Sequence, residues 1–180
     1  MKKSFSDADR EFIEGTALSL RVSALKMGLH TRLQDSGHNE LEIHRTGVAG
    51  ELAACIELKI PRSEIEQFMG HSITDRQGYD LPYAGRTLEV KASRVNPAYV
   101  SMPVGSTINA RRAITADIAA LVSLPMQGLE WYDLRGWQFR FNWERDPSLL
   151  KVVNGDLIVV KRAKLFSPQS LIELTQPALL

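Results

Sequence analysis

The chain is poor in cysteine, and its charges are balanced rather than of one sign. Cys55 is the sole cysteine among 180 residues. That excludes a disulfide framework within the chain and a thiolate zinc site. Lys and Arg number 22 against 21 Asp and Glu, a formal net charge of +1. Any basic surface for an anionic partner must therefore come from local clustering. No apolar run approaches the length of a membrane span. Met1-Lys-Lys-Ser-Phe-Ser-Asp-Ala-Asp9 carries no apolar segment behind its lysines, which speaks against a signal peptide and for a cytoplasmic location. There are no internal repeats or low-complexity tracts, and no Gly-rich phosphate loop or Ser-His-Asp order. The four histidines (His30, His38, His44 and His71) have no metal-ligand spacing, although His44 would line a cleft if it lay close to Glu51.

What the chain does have is apolar periodicity in distinct blocks. Ser6-Asp-Ala-Asp9 reads as a helix start, with Ile13, Ala17, Leu20, Ala24 and Met27 at helical spacing, widened by Leu18, Val22 and Leu25; Gly28 ends it. Residues 30–39 read as a loop. A second helix starts between Asn39 and Thr46 and runs to about Leu58, closed by Pro61. Its small residues Gly47, Ala49, Gly50, Ala53 and Ala54 permit close approach to a sheet. Val48, Leu52, Cys55, Ile56 and Leu58 share one face, and Glu51 falls inside that apolar arc. A carboxylate there costs several kcal/mol unless it is paired or bound to a metal.

Residues 63–69 suggest a short helix and 70–78 a polar connection. Two short strands follow, joined at Ala84-Gly85, with Leu88, Val90 and Ala92 on one face and Thr87, Glu89, Lys91 and Ser93 on the other. A two-residue loop places Asp80 opposite Glu89, where like charges repel and a hard divalent cation would relieve them. Lys91 stands on the Glu89 face. Further strands are expected at 98–102, 117–124, 129–133 and 157–160, with 135–143 a strand or irregular segment. A turn or short helix is expected at 108–114, a helical turn at 147–153, and a last helix from Ser167 or Pro168 to about Leu174. Trp131, Trp137, Phe139, Phe141 and Trp143 read as core and edge packing. This order argues for an α/β (α+β) domain, a mixed central sheet flanked by helices. Residues 1–40 would be an added N-terminal helical segment packed on a 41–180 core.

A helix carboxylate, a strand carboxylate and Glu-x-Lys on the paired strand form a constellation. In Gly47-Val-Ala-Gly-Glu51, Asp80 and Glu89-Val-Lys91 the chain resembles the PD-(D/E)XK nuclease superfamily, the restriction-endonuclease-like fold. The resemblance covers roughly residues 46–94. Gly78-Tyr-Asp80 departs from it, with Tyr-Asp in place of the family's Pro-Asp. It implies a Mg²⁺-dependent DNA endonuclease, with Mn²⁺ as substitute. Asp80, Glu89 and the Val90 carbonyl would hold the ion, Glu51 would bind it directly or through water, and Lys91 would position and help deprotonate the attacking water. Arg94, Arg111 and Arg112 are candidate phosphate contacts. Cutting both strands of a duplex would call for a homodimer.

Two other readings compete. One is a nuclease-fold protein that binds nucleic acid, or a partner protein, without cutting. The other is a structural or regulatory protein in which Asp80, Glu89 and Lys91 form a surface salt bridge.

Overall fold

The computed structural model describes residues 1–26, 39–65, 80–94, 99–103, 116–139, 150–153, 157–161 and 165–174. For 99–103, 150–153 and 157–161 only the backbone is described. Helix α1 (Asp7–Lys26) opens on a reciprocal cap: Asp9 N–H donates to Ser6 Oγ (3.2 Å), and Ser6 N–H to Asp9 Oδ2 (3.0 Å). Helix α2 (Glu40–Glu57) is capped by Asn39, whose side chain accepts from Leu41 N–H at 3.0 Å. The two helices pack together, and Arg45 ties them by bonding Glu14 of α1 at 2.6 Å and Glu42 of α2 at 2.5 Å. Ile13 and Ala17 are buried in this contact layer, as their spacing predicts. Leu18, Val22 and Leu25, which widen the same periodicity, are instead 52%, 42% and 48% exposed.

Strands β1 (Leu81–Tyr83), β2 (Arg86–Ser93), β4 (Ile118–Ser123) and β5 (Asp133–Phe139) form a mixed sheet in the order β1-β2-β4-β5. The β2–β4 pair is parallel and the other two are antiparallel. Strands β3 (Tyr99–Pro103), β6 (Leu150–Val153) and β7 (Leu157–Lys161) form a second sheet in the order β3-β7-β6. Helix α3 (Pro168–Glu173) follows, capped by Ser167. The molecule is thus an α/β protein: a four-strand mixed sheet packed against helices, with an N-terminal helix pair. Among the described residues no helix is long and apolar enough to cross a membrane.

The core lies between α2 and one sheet face, where Val48, Leu52 and Cys55 belong to the same buried cluster as Leu88, Val90, Ile118, Ala120, Val122 and Trp137. Central strand β4 is buried along all six residues, as a strand covered on both faces must be. The aromatic residues described on β5 pack rather than project. Trp137 meets Phe139 edge-on (ring centroids 4.7 Å) and Phe166 at a tilt (5.0 Å), and its indole N–H bonds the Ser167 carbonyl at 3.0 Å, which anchors α3.

Three expectations shift. The strand expected at 129–133 does not form as such: β5 begins only at Asp133 and runs on through 135–139 of the segment expected at 135–143, whose last residues, 140–143, lie outside the described ones. Tyr132 pairs instead with Lys3 in an isolated bridge and packs on buried Phe5 (ring centroids 4.6 Å), so the N-terminal residues engage the chain just before β5. The helical turn at 147–153 gives way at 150–153 to β6, where Val152 and Val153 pair with Ile158 and Leu157; β-branched residues favour that extended pairing. The expected helix at 63–69 is a single helical turn over 62–65 among the described residues. The calls for 70–78, 108–114, Phe141 and Trp143 fall outside them.

Candidate active site

The hairpin that carries the acids has the expected register. Leu81 pairs with Leu88, Pro82 with Thr87 and Tyr83 with Arg86, leaving Ala84-Gly85 as a two-residue loop. Both loop residues have positive φ (53° and 70°), the pattern of a type I′ turn, whose twist matches that of the strands. The ladder then ends. Asp80 N–H bonds the Leu88 carbonyl at 2.9 Å, and its carboxylate accepts the Val90 N–H at 2.7 Å. Asp80 therefore reaches past Glu89 and is fastened to the backbone between Glu89 and Lys91.

Carbonyls along β2 alternate between the two neighbouring strands. That of Leu88 faces the β1 edge and that of Ser93 accepts from Leu124, beyond β4. The Val90 carbonyl accordingly points to the β1 edge, past the start of that strand. Parallel pairing with β4 is fixed by Asp117, which accepts from both N–H and Oγ1 of Thr87 at 3.0 Å and returns its own N–H to Thr87 Oγ1. Sequence reading missed this clamp. An Asp just before an apolar strand was the available signal, but its partner lies 30 residues away.

Glu89 is 8% exposed, and its carboxylate pairs with the Lys91 ammonium. Glu51 arrives from α2, which is held close to the sheet at Gly50. A methyl group there would stand 2.4 Å from Ala92 Cβ. Burial pushes the Glu51 carboxyl well above its usual range, the charges of Asp80 and Glu89 push it further, and Lys91 only partly offsets them. Asp80 is raised to about 7, first by burial and then by Glu89, against the opposing pull of the Val90 N–H and Lys91. The helix acid and the two acids of the hairpin thus share one electrostatic environment, with the Lys91 ammonium opposing their repulsion. Cys55 borders it, a buried thiol raised to about 12 by burial and by Glu51.

Oxygen-only donors, mutual repulsion and a backbone carbonyl aimed past the strand end suit a hard divalent cation. Among the described residues no three acid, imidazole or thiol side chains already converge on one point at ligand distance. Glu89 rests on Lys91 and Asp80 on the Val90 amide, so binding would require those side chains to exchange partners. Mg²⁺ keeps several waters and needs few protein ligands, so the donor set is sufficient.

The structure gives Arg94 a different task from the expected phosphate contact. Its Nε donates to Thr46 Oγ1 (2.9 Å), Nη1 to the carbonyls of Pro125 (3.0 Å) and Gly128 (2.8 Å), and Nη2 to Glu42 Oε1 (2.6 Å). Four of the five N–H donors of a guanidinium are committed to this brace between α2 and the turn after β4. Arg111 and Arg112 lie outside the described residues. His44 sits on α2, half-buried, its pKa lowered by burial, with Glu40 opposing and Arg21 reinforcing the shift. Comparison with known proteins found no matching family model, no matching curated protein and no matching solved structure.

Proposed function

We propose that the chain is a metal-dependent DNA endonuclease of the restriction-endonuclease-like type. The observation that carries this reading is that buried Glu51 and Asp80 lie within electrostatic reach of Glu89 and Lys91, with Asp80 held on the Val90 amide between those two. Three acids brought from a helix and two strands into one partly buried site cost stability without return in a purely structural protein. Asp80, Glu89 and the Val90 carbonyl would hold Mg²⁺ or Mn²⁺, with Glu51 completing the set. The ion would supply positive charge to the phosphate and favour ionisation of water. Lys91, released from Glu89, would orient the attacking water and take part in its deprotonation. The Val90 N–H keeps the Asp80 carboxylate aimed, and Gly50 keeps Glu51 within reach.

A second reading is favoured by one feature. Two of the acids already have partners within the chain, Glu89 in Lys91 and Asp80 in the Val90 amide, as in a nuclease-fold protein that binds nucleic acid or a protein partner without cutting. Incubation of supercoiled plasmid, single-stranded and branched DNA with and without Mg²⁺ or Mn²⁺ separates the two. Metal-dependent cleavage that is lost in Lys91→Ala supports the nuclease. No cleavage of any substrate, together with no metal-induced rise in Tm, rejects it in favour of the binding protein.

A further inference from the structure

Helix α1 has two apolar faces. Ile13 and Ala17 belong to the core, with Phe12 and Leu20 packed against it. Leu18, Val22 and Leu25 turn away from that layer and are exposed. At 100° per residue they fall within an arc of about 60°, so they form one stripe. Of the eight exposed large apolar side chains among the described residues, only these three share a helix or strand.

The stripe continues into polar residues with the spacing of a coiled-coil seam. Glu11, Gly15, Leu18, Val22 and Leu25 alternate by four and three residues, and Glu11, Gly15 and Lys26 (next to Leu25) are exposed as well. The seam has a direction. It runs from an acid through glycine to leucine in the middle, then through valine and leucine to an ammonium. A second copy laid parallel would set Glu11 on Glu11 and Gly15 on Gly15, a repulsion beside a void. Turned antiparallel about Leu18, both mismatches are answered. Glu11 then meets Leu25 and Lys26 of the second copy, its stem against the leucine and its carboxylate toward the ammonium. Gly15, which has no side chain, makes room for Val22, and the two Leu18 side chains meet on the twofold axis.

We propose that the outer face of α1 is a dimerisation surface, on which a second copy of this chain docks its own α1 in antiparallel orientation. The contact is isologous, so one stripe serves both subunits and association closes at two. A second copy is selected over an unrelated protein because the seam complements its own reverse in both charge and size. This holds with or without the nuclease reading, since a dimer that never cuts DNA satisfies it.

Sedimentation velocity in EDTA, without DNA, from about 1 to 200 μM should show a monomer–dimer equilibrium, because a single helix pair lies at the small end of specific interfaces. Leu18→Lys puts two ammonium groups on the axis and should raise Kd at least about tenfold. Its Tm in dilute solution should match that of the wild type, because Leu18 is exposed in the single chain. Glu11→Lys and Lys26→Glu should each weaken the dimer several-fold, and the two together should restore it. Parallel helices would show no such rescue, and its absence would overturn the antiparallel seam. Leu18→Cys should cross-link to itself on oxidation. The wild type, whose Cys55 is buried, and Met126→Cys, exposed outside α1, should not. A wild-type monomer at the highest concentration would overturn the proposal and leave the stripe to a different protein. A dimer indifferent to Leu18→Lys would overturn it as well. So would a loss of Tm by Leu18→Lys in dilute solution, which would mean that the chain itself covers the stripe.

Discussion

The carboxylate of Asp80 accepts the backbone N–H of Val90 at 2.7 Å, so the first strand acid is pinned to the segment that carries the second acid and the lysine. The bond continues the pairing of the hairpin with a side chain where the β1 backbone ladder stops. It also keeps a carboxylate buried and close to Glu89 despite their repulsion; burial first, and that repulsion second, raise the Asp80 pKa to about 7. Position and strain in the site thus have the same origin.

That arrangement fixes a pH dependence. An acid whose folded pKa lies above its unfolded value destabilises the fold once it ionises. For Asp80 the unfolded value is 3.8 and the folded value about 7. Below the lower value there is no penalty; between them the folded protein holds a proton that the unfolded chain has released; above about 7 the penalty is complete. Glu51 shifts in the same direction. Metal-free protein should therefore lose stability from about pH 4 to pH 8, on the order of a few kcal/mol in total. Asp80→Asn should flatten that fall and be the more stable protein at pH 8. Denaturant midpoints in EDTA across this range measure it, and a pH-independent difference between the two proteins would contradict the assignment.

Divalent cations should reverse the penalty. Saturating Mg²⁺ or Mn²⁺ at about 100 times Kd stabilises a one-site protein by about 2.7 kcal/mol, a rise in Tm of several degrees. Glu89→Gln removes a ligand and relieves repulsion at once, so its metal-free Tm should hold or rise while the metal-induced shift disappears. Differential scanning fluorimetry at pH 7.5 with Mg²⁺, Mn²⁺ and EDTA would show whether the two effects separate in this way.

Much of this site was legible in local sequence. The hairpin register followed from the Leu88–Val90–Ala92 alternation and a two-residue loop, and the structure keeps it through Leu81–Leu88. The departure of Asp80 from squarely facing Glu89 was not legible, because it depends on a side chain taking a backbone donor. Glu51 was marked by helical periodicity alone. The role of Arg94 was hidden because its partners, Glu42, Thr46, Pro125 and Gly128, are scattered over 87 residues of sequence. The strand expected at 129–133 was misplaced by a related blindness: the N-terminal bridge to Tyr132 pairs residues 129 apart.

Arg94 offers a clean contrast between bracing and phosphate contact. Its guanidinium side chain is 13% exposed, and its bonds link the start of α2 to the turn after β4. Arg94→Ala should cost about 2–4 kcal/mol of stability through lost bonds and unsatisfied carbonyls. Arg94→Lys should recover little, since an ammonium cannot span the same acceptors. A phosphate contact would instead lower the slope of log K against log salt by about one. Binding titrations at several salt concentrations should show no change in slope for Arg94→Gln, which removes the charge.

The contact between Gly50 and Ala92 gives the sharpest test of how α2 positions Glu51. Gly50→Ala places a methyl group 2.4 Å from Ala92 Cβ, and both backbones are held by regular secondary structure. The helix must move away, at a cost of about 1–3 kcal/mol for overpacking, and Glu51 moves with it. Ala92→Gly alone should lose about 1 kcal/mol, as glycine weakens a strand interior. In the double variant the methyl group has only changed sides, so it should be more stable than the two single losses add up to, a coupling of about 1 kcal/mol or more. Cleavage should fall with Gly50→Ala and recover in the double variant if the position of Glu51 matters to the chemistry. Recovered stability without recovered cleavage would mean that Glu51 needs more than the correct helix–sheet spacing, and strictly additive losses would mean that the helix does not rest on Ala92 at all.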